Sequence, residues 1–525
     1  MRIDWLWIDQ YKNLKDLTIN FDQDDLITVL IGRNGTGKSN VLEALTIIFR
    51  DLIMGEDTKG ARNKPSFKYR ISYQIKNKLV RIDATPEGKE PYRIKLAQLD
   101  PDLGLPPTLG LDFDQAPGER LPLAKLRDPD DEYLPKFLFG YYSGQSERMA
   151  GAFRKYLERY DKDLRAGKNP GFKRLFYAQP VHSNFVLLSF IVNSATLTDQ
   201  FLQEQLGLEE GGIESVLFVL RQPSWTSKEG DARFWHARGV VADFLGKLYD
   251  ISLAPLRITR REKVSLWNTR KLEFLYLFVK DLEALRELAR GKSTAQFFQE
   301  LESTYVSELI DEVRIRVKLR KNDGSLIFRE LSEGEQQLLT VLGLLRFTSA
   351  EESLFLLDEP DTHLNPRWSV EYIHHIENFL KFNDRETRKS HVILATHNPI
   401  AVAELEKEQV QILMRDEETL VISAKEPDVH PRGMGYAGVV TSEMFGLSAA
   451  LDTYTQKLLN DKRLISSKRN LTPKDKEDLR RITDELEGYG FRYQARDPEI
   501  TETLATVEEA RRLLLEAGNF NIKKS

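Results

Sequence analysis

The chain has 525 residues, 41% hydrophobic and 30% charged, so it can build a large core and still leave residues for at least one further lobe. Its formal net charge of -5 excludes a global electrostatic pull toward nucleic acid, and any such contact must rest on a local basic patch. The absence of cysteine excludes disulfides, thiolate metal sites and a cysteine nucleophile, and fits a reducing, cytoplasmic setting.

In chain order, Arg2 to Phe21 alternates apolar and polar residues and Leu26 to Ile31 is a short apolar run ending at Gly32; both predict strands. Acidic and polar residues inside the opening stretch argue against a signal peptide. The longest apolar runs, such as Phe185 to Val192, fall far short of the ~20 residues that span a bilayer, so no membrane contact is expected. Asn40 to Asp51 carries Val41, Leu42, Leu45, Ile48 and Phe49 at helical spacing. Phe67 to Leu96 alternates like a sheet, and the Pro-, Gly- and Asp-rich stretch from about Asp100 to Asp131 predicts an irregular connection. Phe137 to Tyr142 predicts a buried strand leading into Ser143-Gly144-Gln145.

Between Gln145 and Leu331, helical patterns over Ala150 to Arg165, Phe185 to Leu206, Ala232 to Tyr249 and Leu272 to Arg290 predict a helical lobe without a sustained heptad. Val313 to Leu319 and Leu326 to Phe328 predict a hairpin turning at Lys321-Asn322-Asp323-Gly324. Two further strands, Val410 to Met414 and Leu420 to Ala424, precede a polar helical region in which Thr472 and Thr506 suit helix starts and Gly488 and Gly518 helix ends. The expected division is 1–145, 146–312, 313–425 and 426–525.

Five short segments carry chemistry. Gly32-Arg33-Asn34-Gly35-Thr36-Gly37-Lys38-Ser39 matches the P-loop pattern between a predicted strand and a predicted helix, the context that motif requires. The loop from Gly32 through Asn34, Gly35 and Gly37 can turn backbone N–H groups onto phosphate oxygens, Lys38 supplies charge, and Ser39 supplies a hydroxyl to Mg2+. Asp358 and Glu359 end an apolar run, where Asp358 can hold Mg2+ and Glu359 can polarise an attacking water, although adjacent acids also serve as plain turn formers. Ser332, Gly334 and Glu335 open an apolar helix, either facing an anion or forming an ordinary capping box. His397 at a strand end can bond a γ-phosphate, and Gln145 can touch Mg2+ and the attacking water or simply be solvated.

In this order the segments resemble the ABC-type ATPase heads of the SMC, RecF and OLD class, over about Met1 to Phe49, Phe137 to Gln145 and Leu331 to Leu413. The resemblance implies an α/β fold, with a mixed sheet around a P-loop core, a helical insertion lobe and a helical C-terminal region. It also implies ATP and Mg2+ as ligands. Gly32 to Ser39 would be Walker A, Gln145 the Q-loop, Leu331 to Gln337 the signature, Asp358 and Glu359 Walker B, Asp361 to Asn365 the D-loop, and His397 the switch histidine. Asn13, with Lys12, would approach adenine or ribose. Glu333 and Glu335 depart from the transporter signature and look like RecF and OLD heads, which argues against a transporter. In such heads the signature serine meets the ATP of the opposite subunit. A chain with one P-loop and one signature is therefore expected to form a head-to-tail homodimer, with higher assemblies left open.

Beyond the head, the insertion between Gln145 and Leu331 and the segment Arg432-Gly433-Met434-Gly435 to Thr441-Ser442-Glu443-Met444-Phe445-Gly446 resemble the PtuA ATPases of Septu and retron-associated antiphage systems. That resemblance implies a separate HNH nuclease partner of the PtuB type, restrained or positioned by the ATPase. No Asp-x-Asp of the TOPRIM kind follows His397, and Glu87-Gly88-Lys89 reads as a solvated turn. Two basic clusters could meet DNA, RNA or an acidic surface, or be solvated helix faces. One comprises Lys457, Lys462, Arg463, Lys468, Arg469, Lys474, Arg480 and Arg481. The other comprises Arg257, Arg260, Arg261, Lys263, Arg270 and Lys271, with Trp267 among them. The alternative function is a RecF- or SMC-like ATPase acting directly on nucleic acid in repair or end processing.

Overall fold

Short apolar strands whose successive side chains point to opposite faces need cover on both sides, and the chain supplies it. The computed structural model describes residues 1–21, 25–54, 64–87, 89–99, 113–128, 132–144, 147–193, 196–263, 269–320, 325–348, 352–381, 390–447, 449–468 and 471–490. Its central sheet runs in the order Ile422–Lys425, Val410–Arg415, Ile27–Ile31, Ser390–Ala395, Ser353–Asp358, Phe137–Tyr142, Leu175–Tyr177. Neighbouring strands are parallel except at the Val410–Arg415 and Ile422–Lys425 edge.

Alternation divides the core into two layers. Leu354, Leu356, Ile393 and Leu138 enter the layer of the helix Lys38–Met54, through its Val41, Leu45 and Phe49. Phe355, Leu357, Val392 and Phe139 enter the opposite layer, with residues of the helices Val181–Val192 and Glu333–Thr348. Phe139 and Phe355 stack there with centroids 4.7 Å apart. Gly343 of the second of these helices lets it approach the first, because a Cβ would meet Val186 Cγ1 at 2.2 Å.

The N-terminal alternation forms a six-stranded antiparallel sheet, in the order Leu14–Asn20, Arg2–Tyr11, Tyr69–Ile75, Lys78–Ala84, Tyr92–Gln98, Glu119–Arg120. A two-residue turn joins its third and fourth strands, with Lys76 and Asn77 at φ 47 and 59, the pair of positive values a type I′ hairpin needs.

The lobe between Gln145 and Leu331 is not wholly helical as expected. It contains the helices Arg148–Arg165, Val181–Val192, Thr196–Glu204, Gly239–Ile251, Leu282–Ala289 and Thr294–Val306. Alongside them a five-stranded antiparallel sheet runs Leu253–Lys263, Thr269–Val279, Leu208–Arg221, Ile310–Leu319, Ser325–Ile327. The expected helix from Leu272 fails because Phe274 to Val279 is a continuous apolar run, in which period 2 and period 3.6 cannot be told apart. Leu275, Leu277 and Val279 are buried at strand spacing, and the helix begins only after Asp281 caps it through the Ala284 N–H. The expected helix from Ala232 likewise starts late: Trp235 and His236 take φ 51 and 67, which interrupts it until Gly239.

Three charged or titratable side chains lie deep in this lobe. Glu302 is buried beside Lys173, with which it is ion-paired, and lies 2.7 Å from His182 Nε2. Burial alone would raise the Glu302 carboxyl, but His182 and Lys173 outweigh it and hold the group down to about 2.

Met1–Phe445 forms one compact unit and Gly446–Ser525 another. In the second, the helices Thr453–Ser466 and Pro473–Gly488 meet through Leu458, Ile482 and Leu486, and Thr472 forms a capping box with Asp475. The expected features at Thr506 and Gly518, like Gly88 and the turn at Lys321 to Gly324, lie outside the described residues. Among the described residues no helix is long and apolar enough to cross a membrane.

Replacing Glu302 by Gln leaves the Lys173 ammonium buried without its countercharge. We expect a loss of about 3–5 kcal/mol in the unfolding of this lobe, read from denaturant midpoints of wild type and variant at pH 7. The wild-type advantage should be present above about pH 4.5 and fade as pH falls toward 2. A change below about 1 kcal/mol would show that the triad contributes little.

Candidate active site

Three strand ends meet in register. Asp358 pairs with Ala395 on one side and Tyr142 on the other, and Ala395 pairs with Leu30 of the strand that feeds the P-loop. The P-loop, the Asp358-Glu359 pair and the loop carrying His397 therefore leave the same edge of the sheet.

The loop from Gly32 to Gly37 has a backbone that other residues would not tolerate. Gly32, Gly35 and Gly37 have φ of 146, 86 and 92. A Cβ on Gly32 would sit 2.3 Å from the Leu413 carbonyl, whereas one on Gly35 would meet nothing within 4 Å, so the loop is braced at its base and open at its crown. Asn34 and Gly35 are exposed on that crown. Asn13, expected near adenine or ribose, instead braces the loop: its Nδ2 donates to the Gly35 carbonyl at 2.9 Å and its Oδ1 accepts from Asn40. Lys12 pairs with Glu43.

Lys38 donates from Nζ to the Gly32 carbonyl at 2.8 Å and lies 3.4 Å from His397 Nδ1. On the far side of that ring, His397 Nε2 is 3.0 Å from Glu359 Oε1. Lys38, His397 and Glu359 thus form a chain across the mouth of the loop. Burial lowers Lys38 to about 8 against the pull of Glu359 and Asp358, and burial followed by the Lys38 charge lowers His397, which favours its neutral form. Burial raises the Asp358 carboxyl to about 6, with Glu359 adding to the rise and a Ser39 hydrogen bond and Lys38 opposing it.

Glu359 takes φ 50, an uncommon conformation for a residue with a side chain. Its N–H donates to the Ala395 carbonyl at 2.8 Å, and its own carbonyl accepts from the Thr362 hydroxyl at 2.9 Å, with buried Gln337 approaching at 3.5 Å. Ser143 closes the ring, its N–H on the Asp358 carbonyl at 3.2 Å and its hydroxyl 3.2 Å from that of Thr362. Ser143, Thr362 and Gln337 lie inside segments named from sequence but were given no role of their own there, because those roles arise where distant segments converge and no spacing signals that.

Two expected nucleotide contacts have structural duties. Asp361 is buried, and its two carboxylate oxygens accept the Thr396 hydroxyl at 2.9 and 2.8 Å, tying the D-loop to the segment before His397. Gly334 is required by packing, since a Cβ there would lie 2.5 Å from the His363 carbonyl. Exposed Ser332 accepts the Glu335 N–H at 3.2 Å, while Glu335 Oε2 accepts the Ser332 N–H at 2.7 Å, so the capping box exists. The side-chain hydrogen bonds described for Ser332 go to Glu335 and those of Lys38 to its own loop and to His397, so none of them joins Ser332 to the Lys38 cluster within this chain. Gln145 lies outside the described residues.

The donor set suits a magnesium-bound triphosphate. Asp358 Oδ1 is a buried oxygen with no hydrogen-bond partner, beside the Ser39 hydroxyl, and a hard cation seeks such a carboxylate and hydroxyl while phosphates and water complete its shell. Among the described residues no group of three or more acids and histidines could hold a metal unaided.

Comparison with known proteins finds similarity to ATPases. Residues 1–102 match the family model "AAA ATPase domain", and residues 269–403 match "AAA domain, putative AbiEii toxin, Type IV TA system". The chain is 26% identical over 200 residues to Septu protein PtuA of Bacillus mycoides (strain KBAB4), across 36% of this chain and 27% of that one. It is 28% identical over 132 residues to the Retron Vc95 probable ATPase of Vibrio cholerae serotype O1 biovar El Tor, across 22% of this chain and 24% of that one. Over these stretches the chain is similar to ATPases, PtuA and a retron ATPase among them. The matched stretches span only about a quarter of these relatives' own lengths. The SMC head domain from Thermotoga maritima aligns with 82% of this chain and 100% of its own, at 14% identity and a TM-score of 0.32.

Ionising a buried carboxyl with no countercation disfavours the fold. The stability attached to the neutral Asp358 acid is present below about pH 4 and is lost as pH rises through about 6. Without nucleotide at pH 7, Asp358→Asn should therefore melt no lower than wild type, with any gap closing as pH falls to 5. Mg2+ with ATP should raise the wild-type melting temperature and leave that of the variant unmoved. A variant that melts several degrees lower at every pH would contradict this assignment.

Proposed function

We propose that the protein binds and hydrolyses ATP between two copies of itself arranged head to tail. In this reading it is the sensor or scaffold subunit of an antiphage defence complex, and restrains or positions a separate HNH nuclease of the PtuB type. The observation that carries the ATPase reading is the convergence of Lys38, Ser39, Asp358, Glu359 and His397 at one sheet edge, beneath a loop whose crown is open to phosphate.

In that site the P-loop N–H groups and Lys38 hold the β- and γ-phosphates. Ser39 and Asp358 would hold Mg2+, which would supply positive charge against the phosphates. Glu359 accepts a proton from the attacking water as its oxygen bonds to the γ-phosphorus and the bond to the β-phosphate oxygen breaks. His397, neutral and fixed by Glu359, orients toward the γ-phosphate. Within a low-dielectric, closed site these preset charges act more strongly than in water. Gln145 is assigned to the metal and the attacking water.

Support for the dimer comes from counting and placement. The chain carries one P-loop and one signature, and the exposed Ser332 side chain is hydrogen-bonded only to Glu335 among the described residues. A second copy would bring Ser332, Gly334 and the helix N-terminus onto the phosphates held by the first. The nuclease partnership is proposed from the likeness to Septu PtuA and the retron ATPase.

Glu359→Gln should slow single-turnover hydrolysis by roughly 10²- to 10⁴-fold while keeping ATP affinity, and should accumulate as an ATP-bound dimer in light scattering. Ser332→Arg should bind ATP yet neither dimerise nor hydrolyse it. Normal turnover by Ser332→Arg, or an ATP-saturated Glu359→Gln protein that stays monomeric, would defeat the sandwich reading. Co-purification of a small nuclease from the native host tests the scaffold role separately.

A further inference from the structure

The cluster Arg257 to Lys271, open in sequence between a partner surface and a solvated helix face, lies on neither face of a helix. It occupies a two-stranded ribbon, Leu253–Lys263 paired with Thr269–Val279, at one margin of the lobe sheet. Leu256 to Arg261 are exposed at every position, and so are Thr269 to Lys271 on the partner strand. A strand buried on one face exposes alternate residues, so this stretch stands in solvent on both faces. Its root is anchored: Glu273 accepts from Trp235 Nε1 at 3.1 Å and from Arg257 at 3.0 Å, and Arg260 stacks over Phe274 at 3.8 Å.

The charge is uneven. Leu253 to Val279 holds six Lys and Arg against two Glu, in a protein whose net charge is -5. Both acids are taken, Glu273 by Arg257 and Glu262 by Arg260. Among the described residues Arg261, Arg270 and Lys271 have no ion-pair partner. Arg261 and Lys271 stand directly opposite each other, side by side on one face, an arrangement that costs stability in a sheet. Single charges suffice to protect an edge strand from aggregation, so a juxtaposed like pair exceeds that need. A second copy paired along the same edge would bring the basic stretch Arg257 to Arg261 against its own equivalent.

We infer that this ribbon is a duplex-DNA-binding arm. Its Arg261 and Lys271 face the phosphates, and its two strands, ~5 Å apart, are narrow enough for a major groove ~12 Å wide. This goes beyond the ATPase reading and does not require it. The arm fixes the protein on the duplex through phosphate contacts and carries no base preference of its own.

The test uses the full chain and a fluorescent random-sequence 20-bp DNA duplex, with anisotropy measured between 50 and 200 mM salt. Wild type should bind with a negative slope of log affinity against log salt. Arg261→Ala/Lys271→Ala should shallow that slope by about 2 and weaken binding at 50 mM by roughly tenfold or more. The charge-keeping Arg261→Lys/Lys271→Arg protein should retain most of the affinity. ATP turnover without DNA serves as the folding control and should be unchanged in both variants. The inference is overturned if wild type does not bind the duplex at 50 mM salt, if the double alanine protein keeps the same affinity and slope, or if the substitutions weaken only an acidic peptide probe.

Discussion

Asp358 lies level with Tyr142 and Ala395, and Ala395 with Leu30, so the site exists only in one register of four parallel strands. A slip of one residue in the strand Ser353–Asp358 would exchange its two faces, sending Leu354 and Leu356 into the layer of Phe139, and Phe355 out of it. It would also move Asp358 away from Ser39 and bring Glu359 into the strand. Register is enforced by the core: neither layer can accept the other's side chains without voids or clashes. The position of the chemistry is thus a consequence of hydrophobic packing that extends well away from it.

Within that frame the site is electrostatically costly. Lys38 and Asp358 are both buried, and burial drives each toward its neutral form despite their mutual attraction. Glu359 adds backbone strain, held by the Ala395 carbonyl on one side and by Thr362 on the other. Such a site is stabilised by a ligand carrying matching charges, a phosphate chain for Lys38 and a divalent cation for Asp358, which links binding to fold stability. The lobe triad shows the contrast. Glu302 has its two partners within the chain and remains firmly ionised, so it needs nothing from outside.

The sequence made legible the features that depend on local order. A strand, a glycine-rich loop and a helix follow one another from Ile27 to Met54, and a run of apolar residues ends in Asp358, because these are contiguous and have characteristic spacing. Features that depend on distant approach were not legible. Asp361 looked like a D-loop ligand, but its oxygens face Thr396 from another strand end. Asn13 is drawn to the P-loop because a hairpin turn with Lys12 at φ 52 presents it there. The ribbon was concealed for a different reason: its second strand is apolar on both parities from Phe274 to Val279, and that part carries no period.

The signature helix illustrates how both kinds of information combine. Its first turn was readable as a capping box, and that box is present, yet the box explains only Ser332 and Glu335. Gly334 lies against the His363 carbonyl, Glu333 Oε2 is 3.4 Å from His363 Nδ1, and Gln337 one turn later approaches the Glu359 carbonyl. A helix is stiff over one turn, so its N-terminus cannot shift without pressing on the loop that runs from Glu359 to His363. The backbone that holds Glu359 in its strained conformation is therefore in mechanical contact with the helix end that carries Ser332. The Ser332 end proposed to meet an anion and the Glu359 carboxylate proposed to polarise water thus belong to one packed body, although none of the described hydrogen bonds joins Ser332 to Lys38 within the chain.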